Sequence, residues 1–218
     1  MYNHELLPYV ELSDEIIDEK RFYTTPDGIK LKSVTTILGE KLPKDALIDW
    51  RNRIGDEKAD AISNFAKIRG SRLHNIAENY LHGLDYKKGA MPPDLMMFNQ
   101  IKPYLEKGLT DIYGIELPLY SYNYKTAGRT DLVGKFNGIK SIIDFKTSRN
   151  MKQESWILNY FLQKTCYGLM LEEMYDIEVP QIVTIIAVDG SITGQIFINE
   201  KAKFVDKVKE IFEWQQPN

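Results

Sequence analysis

Cysteine is almost missing from this 218-residue chain: Cys166 stands alone. One cysteine excludes a disulfide framework within the chain, a four-cysteine zinc site and a cysteine-held iron–sulfur cluster. The expected setting is therefore reducing and cytoplasmic. No apolar run approaches the roughly 18 residues that a membrane helix needs, so no membrane partner is expected. The first residues, Met1-Tyr-Asn-His-Glu-Leu-Leu, have neither an apolar stretch after basic residues nor an Arg-rich, acid-poor character. No signal or transit peptide is expected from them. An excess of positive charge is missing too, with 28 Lys and Arg against 31 Asp and Glu for a net charge of −3. No global basic field advertises nucleic acid, so an anionic substrate must be held by a local patch or through a metal. A P-loop of the GxxxxGK[ST] type is absent, so any ATP-driven unwinding must come from another protein.

What is present is globular. Hydrophobic residues make up 43% of the chain and charged residues 27%, which excludes wholesale disorder. The length suits a single domain over 1–218. Its first 20 residues are acidic, contain Pro8, and read as an arm or a short helix. Phe22-Tyr-Thr-Thr, then Pro26-Asp27-Gly28, then Ile29-Lys-Leu-Lys predicts a hairpin. Ser33 to Gly39 either continues that strand or caps a helix. Helices are expected from Ala46 to Gly55, from Asp60 to Leu81 with an interruption at Gly70-Ser71, and from Asp94 to Leu109 with a bend site at Pro103. A polar loop from His82 to Pro93 separates the last two. The period then changes from 3.6 to 2, giving strands over 115–120, 129–136 and 139–146. A long helix over 153–174, strands over 181–188 and 195–198, and a terminal amphipathic helix over 201–215 complete the order. The expectation is an α/β fold with a mixed central sheet flanked by helices. Its parts are the arm (1–20), a hairpin and helical part (21–110), the sheet and long helix (111–200), and the C-terminal helix (201–218).

The informative stretch runs from Gly128 to Thr147. Asn137-Gly138 between two apolar strands predicts a two-residue type I′ turn. Such a turn fixes the register, so paired positions sum to 275 and Asp131 faces Asp144. Counting outward, that pair is of the close, non-hydrogen-bonded kind, with Lys146 on the same face opposite Arg129. Two opposed carboxylates repel unless a cation lies between them. Hard divalent ions such as Mg²⁺ or Mn²⁺ prefer oxygen ligands, and a neighbouring lysine can hold water or offset developing negative charge. The alternative is a solvent-facing hairpin with scattered charges. Ile142-Ile143 argues against it, because the strand looks buried on both faces.

Gly128-Arg-Thr-Asp131, Asp144-Phe-Lys146 and Gln163-Lys-Thr-Cys-Tyr167 together resemble the PD-(D/E)XK nuclease superfamily in its RecB-like branch. His74, in Arg69-Gly-Ser-Arg-Leu-His74, matches that branch's upstream helical histidine. Ser33-Val-Thr-Thr-Ile-Leu, a Trp-containing helix and Arg-Gly-x-x-x-His are more specifically similar to the mitochondrial genome maintenance exonuclease and related phage exonucleases. The resemblance spans about residues 30–190. It implies a restriction-endonuclease-like core with a helical N-terminal elaboration. It also implies His74, Asp131, Asp144 and the Phe145 carbonyl as metal ligands, and Asp131, Asp144, Lys146, Gln163 and Tyr167 as catalytic residues, with Mg²⁺ or Mn²⁺.

Other residues are weaker candidates. Glu78, one turn after His74, could orient its ring. Glu116 is either a further ligand or a charged strand residue. Arg69, Arg72, Arg129, Arg149 and Lys152 would form a positive funnel for DNA phosphates if the fold gathers them, and Trp50 is a candidate base-stacking surface. The expected activity is a metal-dependent DNA exonuclease acting on single strands or strand ends, alongside a separate helicase, polymerase or single-strand-binding protein. The competing readings are a catalytically silent nucleic-acid-binding module, a hydrolase of small phosphate esters and a restriction-type endonuclease.

Overall fold

The computed structural model describes residues 2–213, an α/β arrangement of nine strands in one mixed sheet with helices on both faces. The N-terminal residues are neither an arm nor a helix. They supply two strands, β1 (Asn3–His4), parallel to β5, and β2 (Ser13–Ile17), antiparallel to β3. Both are short and exposed, which is why no hydrophobic period marks them.

β3 (Lys20–Thr24) and β4 (Lys30–Ser33) form the expected hairpin, with Tyr23 opposite Leu31 and Gly28 at φ +86° in its turn. Only glycine enters that region freely. Ser33 satisfies both readings of its segment. It ends β4, and its hydroxyl accepts the Thr36 N–H at 3.0 Å to cap α1 (Val34–Lys41).

Three further helices follow: α2 (Asp45–Ile54), α3 (Asp56–Leu81) and α4 (Pro92–Gly108). α3 passes through Gly70-Ser71 without interruption. Only its second half buries a continuous apolar stripe (Leu73, Ile76, Ala77 and Leu81), whereas Phe65 and Ile68 are exposed. α4 starts with prolines in its first turn, where the missing N–H is harmless, and carries Pro103 within it.

The central strands are β5 (Leu109–Ser121), β6 (Thr126–Phe136) and β7 (Ile139–Ser148). Asn137 (φ +51°) and Gly138 (φ +82°) form the turn that joins β6 to β7. The ladder runs Phe136↔Ile139 to Leu132↔Ile143, all in the expected register. It ends one pair short of Asp131 and Asp144. Beyond that point β7 leaves β6 and stays with β8 (Gln181–Val188) as far as Ser148↔Val188. β9 (Gln195–Glu200) pairs antiparallel with β8 at the edge.

β6 is where the sheet branches. β5 lies along one side of it, and on the other side β7 takes 132–136 while β4 takes 126–127. Residues 128–131 therefore have no strand partner on that edge among the described residues. The candidate site fills this gap.

Each side of the sheet holds a core. Val133, Ile142, Ile182 and Ile186 meet α1, α5 (Leu158–Tyr175) and α6 (Val205–Ile211) on one face. Leu132, Ile143, Phe145, Val183 and Ile185 meet α3 and α4 on the other. Alternation in β7 thus sends Asp144 and Lys146 to the α5 face and Phe145 to the α3 face. α5 starts later than expected, after a 3₁₀ turn at Glu154–Trp156. The C-terminal segment is a 3₁₀ turn (Lys201–Phe204) followed by α6, and the end of the expected helix lies outside the described residues.

Candidate metal and phosphate site

Asp131 takes the place that a strand partner would have had. Its Oδ2 accepts the Phe145 N–H at 2.7 Å, bridging β6 to β7 where the ladder has ended. Asp131 and Asp144 are therefore not a ladder pair. The parting of the strands relieves the repulsion that direct opposition would bring. Nor does Arg129 face Lys146: it sits opposite Pro118 of β5, and its guanidinium binds Glu11 and the Glu116 carbonyl.

His74 reaches the same place from α3. Its Nδ1 lies 3.4 Å from Asp131 Oδ1 and 3.9 Å from Glu116 Oε1, and its ring packs edge-on against Phe145. Glu116 is presented by a local irregularity, since its φ of +47° turns it out of the regular β5 ladder. One ligand atom from each of His74, Glu116 and Asp131 fits within 4.8 Å of the others. Glu78, the expected orienter of His74, makes no hydrogen bond to it. It lines a cavity of about 110 Å³ with Tyr9, Glu116 and Arg129.

The charges of this cluster are mutually tuned. The Asp131 charge outweighs burial and raises the His74 imidazole to about 10. Burial pushes the Asp131 carboxyl up, but His74 and Lys146 hold it below the ordinary carboxylate value. Burial raises the Glu116 carboxyl, with only partial relief from His74. A proton on His74 thus serves as the counter-charge to the two acids. The donor set of one imidazole nitrogen and two carboxylates also suits a divalent cation, which would take that proton's place.

Asp144 is not in that three-residue group. It is almost fully buried, at 2% exposure, and its oxygens face two lysines. Lys146 Nζ is 2.6 Å from Oδ1, and Lys164 Nζ is 3.8 Å from Oδ2. Oδ2 has no partner within hydrogen-bond distance, and the Lys164 ammonium is the charge that faces it. Lys146 is raised above its ordinary value, because the charges of Asp144 and Asp131 overcome its burial.

Gln163 and Tyr167 share one side of α5. The Gln163 amide points to the Tyr167 hydroxyl at 3.5 Å, and the Tyr167 ring is buried against Gly128. Gln163 and Lys146 both line a cleft of about 670 Å³ that runs between α1–α2 and the start of α5. Leu47, Trp156 and Leu158 form its apolar walls, and Trp156 is 62% exposed.

The expected basic funnel is only partly available. Arg69 is 12% exposed and faces Asp189, Arg72 pairs with Asp94, and Arg129 holds Glu11. Arg149 and Lys152, in the loop after β7, have no ion pair among the described residues. Trp50 is half-buried on α2, outside the lining of the cleft.

Lys164 is a residue of the site that sequence reasoning misses, although it lies inside the Gln163–Tyr167 motif. Its signal is a lysine on a helix with apolar residues all round. The sequence does not decide between the two roles of Glu116, because nothing in a strand's period announces a left-handed residue.

No family model matches the chain, and no curated protein does. Sixteen chains of solved structures match it. One is the crystal structure of SSO0001, with 15% identity, 70% of this chain and 76% of that chain covered, and a TM-score of 0.32.

Proposed function

We propose that the chain is a divalent-metal-dependent nuclease of the PD-(D/E)XK kind, hydrolysing phosphodiester bonds of DNA at single strands or strand ends. The observation that carries the reading is the meeting of His74, Glu116 and Asp131 within 4.8 Å, beside the Asp144–Lys146 pair. These residues fit a Mg²⁺ or Mn²⁺ ion by donor type, one imidazole nitrogen and two carboxylates. When bound, the ion supplies a Lewis acid for the phosphoryl oxygens and lowers the pKa of a water.

The chain's own groups do the rest. Asp131 is held in place by the Phe145 N–H, and His74 is held between Asp131 and Glu116. Lys146 opens onto the cleft, so its ammonium can donate to the attacking water or to an oxygen of the pentavalent phosphorus. Water oxygen bonds to phosphorus and gives up a proton to solvent, the bond from phosphorus to the leaving sugar oxygen breaks, and that oxygen takes a proton from solvent. Gln163 lines the same cleft as Lys146 and offers an amide to the backbone of the strand.

The test is incubation of end-labelled single-stranded DNA with Mg²⁺ or Mn²⁺. The expected result is stepwise shortening that EDTA abolishes, slowed at least about 100-fold in Lys146→Ala and Asp131→Asn. Cleavage that neither substitution affects, or none with any divalent ion, would overturn the reading.

A further inference from the structure

The geometry points to Lys164 as a positioning residue: a second, fixed ammonium that holds the Asp144 carboxylate when Lys146 turns away from it toward substrate. The part concerning substrate rests on the nuclease reading. The part concerning Asp144 does not.

The two lysines that face Asp144 are unlike each other. Lys146 is 20% exposed, lines the cleft and has the Tyr160 ring at 5.3 Å. It can leave Asp144 by rotating its stem. Lys164 is 0% exposed. Its Nζ donates to the Tyr160 carbonyl at 2.6 Å and lies 5.9 and 5.7 Å from the centres of the Tyr160 and Phe161 rings. It has nowhere to go.

Burying a lysine is costly unless something compensates for its charge. α5 is apolar around this position, with Leu162, Cys166 and Met170 buried, so a leucine or methionine would pack there. The Tyr160 carbonyl gives Lys164 a hydrogen bond but no charge, and the counter-charge that faces it is Asp144 Oδ2, the oxygen that Lys146 does not hold. A buried carboxylate whose only cation departs is strongly destabilised. With Lys146 alone, Asp144 could not be both ionised and fixed while that lysine served the phosphate. Lys164 removes the conflict: one ammonium moves and the other stays.

The test is a double-substitution cycle in thermal melting, in EDTA, on wild type, Lys164→Met, Asp144→Asn and both together. Methionine keeps the stem's length and removes the charge. Lys164→Met should lower the melting temperature by about 10 °C in the wild-type background and by less than about 3 °C in the Asp144→Asn background. Equal losses in the two backgrounds would overturn the proposal, because Lys164 would then answer only to the Tyr160 carbonyl. Should Lys164→Met not fold, Lys164→Gln carries the same cycle, since it can still donate a hydrogen bond without charge. Melting like wild type would again overturn the proposal.

The kinetic arm uses the folded variant on single-stranded DNA. The expected result is kcat lowered about tenfold or more with KM within about twofold, since Lys164 touches no substrate. An unchanged kcat in folded protein overturns the proposal. The melting cycle needs no turnover, so a wild-type chain that cuts nothing would refute the nuclease reading and still leave Lys164 decidable.

Discussion

Gly128 lacks a side chain in β6 because Tyr167 occupies the space. A Cβ built there would lie 2.8 Å from the Tyr167 ring and hydroxyl, closer than any relaxed contact. Gly128→Ala must therefore shift the ring of a buried tyrosine that Gln163 also touches. The expected cost is about 1–3 kcal/mol in denaturant unfolding. A loss under about 0.5 kcal/mol would mean that Tyr167 is free to move. Such residue-scale couplings are partly legible in sequence. Asp131, Asp144 and Lys146 could be brought into one neighbourhood by arithmetic alone, because the Asn137-Gly138 turn sets the register. The arithmetic failed at the last step, where the strands part and Asp131 takes the Phe145 N–H instead of facing Asp144. Pairing rules describe a continuous ladder and carry no signal for where one ends. Lys164 was invisible for a different reason. A lysine in a helix is read as a solvated charge, and only the packing of Tyr160, Phe161 and Asp144 around it shows otherwise.

At the scale of elements, the strongly periodic segments were readable and the exposed ones were not. β6, β7, β8 and α5 bury continuous apolar faces, and their periods announce them. β1 and β2 bury nothing, so backbone pairing and exposed polar contacts such as Asn3–Asp111 and Asp14–Arg21 hold them in the sheet. α2 also has no buried residue, and Leu47 on it lines the cleft across from Trp156 and Leu158. Of the aromatics lining that cleft the exposed one is thus Trp156, on the 3₁₀ turn before α5, and Trp50 is not among them. On the nuclease reading, an exposed aromatic in this cleft would serve as a stacking platform for nucleotide bases. Trp156→Ala should weaken binding of a short single-stranded oligonucleotide by roughly 5- to 150-fold, measured by fluorescence anisotropy in EDTA. Unchanged affinity would mean that the strand runs elsewhere.

At the scale of the molecule, the branch in the sheet is what makes a site possible. β6 is paired with β5 along one side except at Asp131, where Glu116 leaves the ladder, and on the other side β4 and β7 leave four residues unclaimed between them. Helix α3 brings His74 to that gap from one face, and α5 brings Lys164 and Gln163 from the other. With a net charge of −3, little general attraction for a polyanion exists, and three of the five expected phosphate-binding residues are paired with the chain's own carboxylates. Affinity for a phosphodiester then depends on the local charge at the gap, which a divalent ion would make positive. No helix among the described residues is long and apolar enough to cross a membrane. The most direct measurement is a calorimetric titration of the metal-free chain with Mn²⁺. Saturable binding that weakens at least about tenfold in Asp131→Asn is the predicted result. No binding, or binding that Asp131→Asn leaves unchanged, would contradict a metal site at the gap.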